Sequence, residues 1–497
     1  MSTPLPESKP YTGSLPMPHG KAISPELPRL AISVVFLILA GAFALISFGT
    51  SPTALFVALS AVAGGYMAIN IGANDVANNV GPAVGSGALK LSGAILIAVV
   101  FESAGALLAG GDVVSTISKG IIDASLIPSS LSFMLAMGSA LLAGALWLNL
   151  ATYVGAPVST THSIVGGVLG GGVAAAGIGV VNWNVMSAIA SSWFISPVLG
   201  GLLAAAFLAA IERTVFSRED MIKASRQWVP VFLAVMVAAF SVYLVMKGLK
   251  RVWKPSPGML FVITAASFAS AIFILRPMVE RSSENLENRR SSVNKLFNIP
   301  LIFSAALLSF SHGANDVANA VGPLSAIVSV AGSADVSAKV GIPLWVMVLG
   351  AGGISLGLLL FGAKLINTVG KKLTALDQSR AFCVCLSAAI TVICASALGL
   401  PVSSTHIAIG AVFGVGFYRE YRNNSSQRAD GTRGEILARI SARLFNSDGH
   451  TQQPLRKPRK LVRRKHLLTI CTAWFVTVPA SAAISATLYL LANSVTG

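Results

Sequence analysis

Residues Gly72–Pro82 read GANDVANNVGP, and 241 residues later Gly313–Pro323 read GANDVANAVGP. The first copy ends an apolar run, residues 54–71, where an ionised side chain is least welcome. Each copy sets an Asp among apolar neighbours, flanks it with Asn and brackets it with Gly. On a helix Asn74 and Asn78 lie one turn apart, and so do Asp75 and Asn78 or Asn79. Oxygens and amides therefore collect on one side. Gly72 and Gly81-Pro82 mark places where a helix can break and release backbone groups. An acid buried for packing alone is the bland alternative, but intramembrane acids are functional as a rule.

Outward from this motif the chain reads as lipid-embedded. It has 497 residues, 54% hydrophobic and 11% charged, with a mean hydropathy of +0.74. A soluble domain carries about 25% charged residues. The net charge of +17 is gathered in a few loops, so it reports membrane orientation and not a nucleic-acid surface. The four cysteines, Cys383, Cys385, Cys394 and Cys471, show neither a disulfide framework nor zinc spacing and read as small core residues. Residues 1–30 are Pro- and Ser-rich and are expected to be a disordered cytoplasmic tail.

About 20 apolar residues cross a bilayer. That rule places spans near 31–48, 54–72, 89–111, 131–155, 163–180, 186–211 and 229–246. It continues near 258–276, 299–315, 342–363, 381–399, 405–418 and 466–492. The expected fold is all-α and polytopic, with roughly 12–13 transmembrane helices. Between 418 and 465 stand thirteen Lys or Arg, which puts this loop in the cytoplasm. Counting back places the N-terminus inside, the C-terminus outside, and the basic loops 212–228, 276–298 and 364–380 inside. One loop disagrees: 247–254 carries Lys247, Lys250, Arg251 and Lys254 and falls outside. Seven crossings separate the two Asp motifs, so the two halves come out inverted, the plan of alternating-access transporters.

A second phrase repeats at nearly the same interval. Gly155–Gly166 reads GAPVSTTHSIVG and Gly399–Gly410 reads GLPVSSTHIAIG, 244 residues apart. Pro suits the first turn of a helix, and Ser or Thr caps it. A helix N-terminus offers free N–H groups and the positive end of its dipole, and Ser159, Thr160, Thr161, Ser403, Ser404 and Thr405 add hydroxyl donors. The product is a cradle for a tetrahedral oxyanion. Ordinary capping at a re-entrant turn is the alternative for either copy alone. His162 and His406 are read as orienting these turns ahead of carrying protons. His312 has Ile71 as its counterpart, so no paired role is expected for it, and Lys90 is read as an interfacial residue.

GANDVAN and PVS-T-TH, each present twice, resemble the inorganic phosphate transporter (Pit) family over residues 54–211 and 299–492. Trp193-Phe194 before Ser196-Pro197 is echoed by Trp474-Phe475 before Thr477 and Pro479. The resemblance implies a phosphate symporter of the cell membrane driven by sodium or protons. It implies two inverted repeats with broken helices and re-entrant hairpins, 54–211 and 299–492. The second would include the basic cytoplasmic loop 419–465. An extra first helix at 31–48 and a connector at 212–298 complete the layout. Carried over position by position, substrate contacts fall on Asn74, Asp75, Ser159, Thr160, Thr161, Asn315, Asp316, Ser403, Ser404 and Thr405. The coupling ion falls on Asp75, Asn78, Asp316, Asn319 and Glu102, with sodium at the first four. Glu102 matches the family's acid in an FE-S/T pattern, whereas Cys385 stands where relatives often carry another acid.

The resemblance further implies a chain that is not an enzyme, with no cofactor beyond its coupling ion. Its partners are inorganic phosphate, that ion and the bilayer, a homodimer is left open, and nucleic acid is not expected. A sulfate permease on the same scaffold is the nearest rival. No GxxxxGK[ST] loop is present, which removes an ATP-driven pump.

Overall fold

Ala, Gly, Leu and Val saturate the spans, and such residues form helices that approach one another closely in lipid. The computed structural model describes residues 26–49, 51–154, 158–248, 253, 255–333, 342–366, 376–445 and 464–496. Among them there are helices and no strand, apart from a single bridge between Ile122 and Val181. In chain order α1 is Glu26–Phe48, α2 Ala54–Asn74, α3 Ala77–Gly85, α4 Leu91–Ala109 and α5 Gly111–Ser115. Next come α6 Ser130–Val154, α7 Thr160–Ala176, α8 Trp183–Ile211, α9 Met221–Tyr243, α10 Pro257–Ser283 and α11 Arg290–Lys295. The last group is α12 Asn298–Ser333, α13 Leu344–Gly357, α14 Gln378–Ala397, α15 Ser404–Phe445 and α16 Arg464–Thr496.

Eleven of the described helical stretches are long and apolar enough to cross a membrane, so this is a multi-pass membrane protein. The expected spans 163–180 and 405–418 are not among them. The first corresponds to α7, which is only 17 residues long. The second is the start of α15, whose apolar run stops at Tyr418 and gives way to charged and polar residues. The first span begins five residues earlier than expected, at Glu26. The tail before it, and residues 446–463 in the basic stretch, lie outside the described residues.

The packing partners exchange between the two halves. α4 lies against α12, and α13 against α2; α7 lies against α16, and α15 against α8. The crossings are made with backbone on backbone. A Cβ on Gly72 would strike the Ile354 carbonyl of α13, and one on Gly313 would strike the Glu102 carbonyl of α4. Only glycine lets these helices close to that distance. Between the two crossings Ser103 and Ser355 share a 2.7 Å hydrogen bond, α4 touching α13 at matching positions. The helices α1 and α10 stay at the edge, packed chiefly on α2 and α9 and presenting Ile46, Phe261 and Phe273 outward.

Candidate functional site

Both Asp motifs and both hydroxyl clusters meet in the interior. The first motif does not continue as one helix. α2 ends at Asn74, and Asn78 and Asn79 donate to the carbonyls of Asp75 and Val76, three residues back. This tightened turn separates α2 from α3, with Pro82 kept inside α3. The expected break therefore falls at the acid itself, between the glycine brackets. The second motif lies inside the unbroken α12, with Pro323 within it, so the break expected there is absent.

The hydroxyl clusters start α7 and α15. The hydroxyl oxygen of Ser159 accepts from the His162 N–H at 3.2 Å, and that of Ser403 accepts from the His406 N–H at 3.3 Å. Both serines are N-caps, as the capping alternative has it. A hydroxyl that accepts through a lone pair still has its hydrogen to donate, so capping leaves a donor for an anion.

The hydrogen bonds across the site come in repeat-related pairs. Thr160 Oγ1 donates to Asp75 Oδ2 at 2.7 Å, and Ser404 Oγ, its counterpart, donates to Asp316 Oδ2 at 3.4 Å. Asn78 Nδ2 reaches Thr405 Oγ1 at 2.9 Å, while Asn319 Nδ2 reaches Thr161 Oγ1 at 3.1 Å and Thr160 Oγ1 at 3.3 Å. Thr405 also donates to Asp75 Oδ1 at 3.4 Å, tying the halves together at one carboxylate. Asp75, Asp316, Asn319, Thr160, Thr161, Ser404 and Thr405 are all buried. His162 and His406 lie behind the cradles with ring centroids 4.9 Å apart, and Trp193 lies tilted against His162 with centroids 3.8 Å apart.

Asn74 and Asn315 face the chain that leads into the cradles. Asn315 Nδ2 donates to Ser396 Oγ at 2.9 Å and to the Leu400 carbonyl at 3.1 Å, and its Oδ1 accepts from the Val402 N–H at 3.2 Å. Asn74 Oδ1 accepts from Thr152, the counterpart of Ser396, at 3.2 Å. Trp193 Nε1 holds the Pro401 carbonyl at 3.2 Å.

Glu102 is fully buried beside the second motif. Asn79 Nδ2 donates to its Oε1 at 2.7 Å, and His312 Nδ1 lies 2.7 Å from its Oε2. His312 Nε2 comes within 3.0 Å of Asp316 Oδ2, an ion-pair distance without hydrogen-bond alignment. This corrects the reading of His312: both ring nitrogens face carboxylates, one from each half. The repeat offset hid it, because the partner of His312 is not Ile71, its match in the first copy, but an acid on another helix. The signal lay in the sequence, as a His four residues before Asp316 and so on the same helix face. Cys385 is buried and its thiol donates to the Asn79 carbonyl at 3.8 Å.

Ligand atoms of Asp75, His312 and Asp316 lie within 4.8 Å of one another. Asp316 Oδ1 and Asn319 Oδ1 are buried without a hydrogen-bond partner. Buried oxygens of this kind suit a hard cation, and the oxygens of Asp75, Asp316 and Asn319 fit sodium in donor type, whereas the His312 nitrogen does not.

The family model described as the phosphate transporter family matches residues 71–485. The chain belongs to that family. A Helicobacter pylori strain J99 protein named "Putative phosphate permease" is 46% identical over 517 residues, covering 95% of this chain and 96% of that protein. A Pyrococcus abyssi protein given the same description is 35% identical over 431 residues, covering 87% and 96%. The solved structure titled "The sodium-dependent phosphate transporter" is similar with a TM-score of 0.76 and 36% identity, covering 88% of this chain and 99% of its own. Membership in the phosphate transporter family and the membrane-spanning architecture thus agree with each other and with the two repeated motifs.

Proposed function

We propose that this member of the phosphate transporter family carries inorganic phosphate across the cell membrane by symport with sodium or protons. The observation that carries the reading is the donor arrangement. The hydroxyls of Thr160, Ser404 and Thr405 are turned toward Asp75 and Asp316. A phosphate entering this site meets two carboxylates that repel it and hydroxyls already engaged. When Asp75 and Asp316 turn their oxygens to a cation, or take up a proton, the repulsion falls and those hydroxyls are released to the anion. Binding of one species then favours the other, which is coupling by differential affinity. Asp75, Asp316, Asn78 and Asn319 would hold sodium. Glu102, joined to Asp316 through His312, would report the ion's arrival to the second half.

Phosphate is favoured over sulfate because its hydrogen-bearing forms can donate to a carboxylate, whereas sulfate has only acceptors. The exchanged packing of the halves supports an inverted repeat, 54–211 against 299–492, and alternating access about the shared site. The basic end of the bundle, with Arg213, Arg218, Arg290, Arg419 and Arg422, would face the cytoplasm, and the N-terminus with it. Across that end Glu212 is gripped by both Arg290 and Arg422.

Purified protein in liposomes loaded for radiolabelled phosphate uptake, with sodium and pH gradients imposed separately, tests the reading. Accumulation above the external concentration under one gradient, cancelled by its collapse and only weakly inhibited by sulfate, is expected. Downhill flux that ignores both gradients would make the protein a channel, and equal competition by sulfate would widen the substrate to tetrahedral oxyanions.

A further inference from the structure

The turn at Ala397–Leu400, which feeds the second cradle, is held by residues of the first repeat and of the connector. Lys247 lies in a short wide-helix turn, Leu244–Gly248, that continues α9 in the connector between the halves. Its Nζ is 2.6 Å from Asp112 Oδ2 of α5 and donates to the Ala397 carbonyl at 2.8 Å. Ala397 is the last residue of α14, where carbonyls lack intrahelical donors and the dipole favours a cation. Two residues on, Gly399 takes φ of 69° and its carbonyl accepts from Thr116 Oγ1 at 2.6 Å. A Cβ on Gly399 would sit 3.2 Å from that hydroxyl, so the turn is both left-handed and tight against Thr116. Asn315 and Trp193 hold the next residues, Leu400 to Val402, from the opposite flank.

We propose that Lys247, Asp112 and Thr116 are positioning residues for the second anion cradle, clamping the Ala397–Leu400 turn so that Ser403–Thr405 stay aligned with Asp316. The inference rests on the proposed phosphate site for its consequence, but the clamp itself is a statement about this turn. It also gives a structural duty to one of the four basic residues of the 247–254 loop, whose charge opposed the topology expected from the sequence; Lys250, Arg251 and Lys254 lie outside the described residues. The ammonium of Lys247 is committed to an ion pair and a helix end, so it carries no weight in choosing sides. The ion pair has no match by repeat position. The position matching Asp112 in the second half, 252 residues later, is Lys364, of opposite charge, so no acid stands there to repeat the pair.

The test places a thiol at the clamped turn, Leu400→Cys, and follows its reaction with a maleimide in purified full-length protein. Cys394, exposed on α14, is the internal reference. Lys247→Gln and Thr116→Val should each speed labelling at 400 relative to 394 by about fivefold or more, as a released turn opens more often. Lys247→Arg should return the rate toward that of the parent. On the same backgrounds without the introduced thiol, the KM for inorganic phosphate should rise by roughly tenfold, as for loss of one charged hydrogen bond, with kcat within about twofold. An unchanged labelling rate in both variants, each shown to be folded by its size-exclusion profile, overturns the clamp. Faster labelling with an unchanged KM overturns the positioning role. A parent protein that moves no phosphate would sink the transport reading alone, because the labelling arm still decides the clamp.

Discussion

The two copies of GANDVAN share seven consecutive residues and adopt different backbones. In the first, the ladder tightens at Asp75 and a new helix starts at Ala77. In the second, the same residues run through the middle of a 36-residue helix. The cause therefore lies in what each copy touches. Three departures from the repeat stand out: Asn79 against Ala320, His312 against Ile71, and Glu102 against Ile354. These three unmatched side chains bond to one another, with Glu102 at the centre. Asn79 follows the turn at Asp75 and reaches Glu102 from one side, and His312 reaches it from the other. The repeat thus supplies a symmetric frame of Asp, Asn and hydroxyls, and the exceptions build a polar cluster belonging to neither half alone. Asn74 and Asn315 differ in the same spirit. Asn315 is fully buried and clasps three groups of the incoming chain, whereas Asn74 is partly exposed and holds Thr152.

The largest expected effect comes from the part that is symmetric. Asp75→Asn and Asp316→Asn keep size and hydrogen bonding but remove the charge that attracts a cation. Each should reduce the phosphate accumulation ratio in proteoliposomes to unity, while the variant still inserts and elutes as the parent does. Equal loss in both would show that the two copies act as one site despite their different backbones. A variant that still accumulates phosphate at the parental ratio would remove that acid from the coupling scheme.

A smaller but more discriminating effect should follow from erasing the asymmetry. His312→Ile writes the first copy's residue into the second, and Asn79→Ala does the reverse. His312→Ile leaves Glu102 and Asp316 buried without the ring between them. Removing one partner of a buried pair costs about 3–5 kcal/mol. Losing the Asn79 amide, a neutral donor to a charged acceptor, costs about 1.5–3 kcal/mol. Thermal unfolding in detergent should rank His312→Ile below Asn79→Ala, and both below the parent. Adding Glu102→Gln to His312→Ile should recover part of the loss, since only one of the two carboxylates that faced the ring, Asp316, then keeps its charge. If the double variant is no more stable than the single, the cluster is not held together by that charge.

The contrast also explains what could be read from the amino-acid sequence. The repeats, the apolar runs and the Pro-led hydroxyl clusters are local patterns, and they placed Asp75, Asp316, Thr160, Thr161, Ser404 and Thr405 in one region. The helix break at Asp75 was not legible, because both copies carry the same Gly and Pro brackets and only one breaks. His312 was passed over because the repeat offset pairs it with Ile71, whereas its contact to Glu102 depends on how α4 crosses α12. Lys247 looked like a misplaced topology charge for the same reason: Asp112 lies 135 residues away in sequence. Periodicity reports on one helix at a time, and these contacts are made between helices.

The smallest expected effect separates the two duties of the cradle serines. Ser159 and Ser403 each accept a cap hydrogen bond through oxygen, and each has a hydrogen left to donate. Alanine removes both functions and also favours extending the helix. Losing such a cap costs about 0.5–2 kcal/mol, whereas glycine at the same position costs only a few tenths. Ser403→Gly therefore takes away the hydroxyl while nearly preserving the start of α15. If the hydroxyl serves the anion, Ser403→Gly and Ser403→Ala should weaken phosphate binding alike, by roughly tenfold for a charge-assisted bond. Only the alanine variant should also lower the unfolding temperature, and by a few degrees at most. The same pair at Ser159 asks whether the first cradle, without the Lys247 clamp, contributes as much as the second. Parental phosphate affinity in Ser403→Gly, with a drop only in Ser403→Ala, would return Ser403 to capping alone and leave the donor role to Ser404 and Thr405.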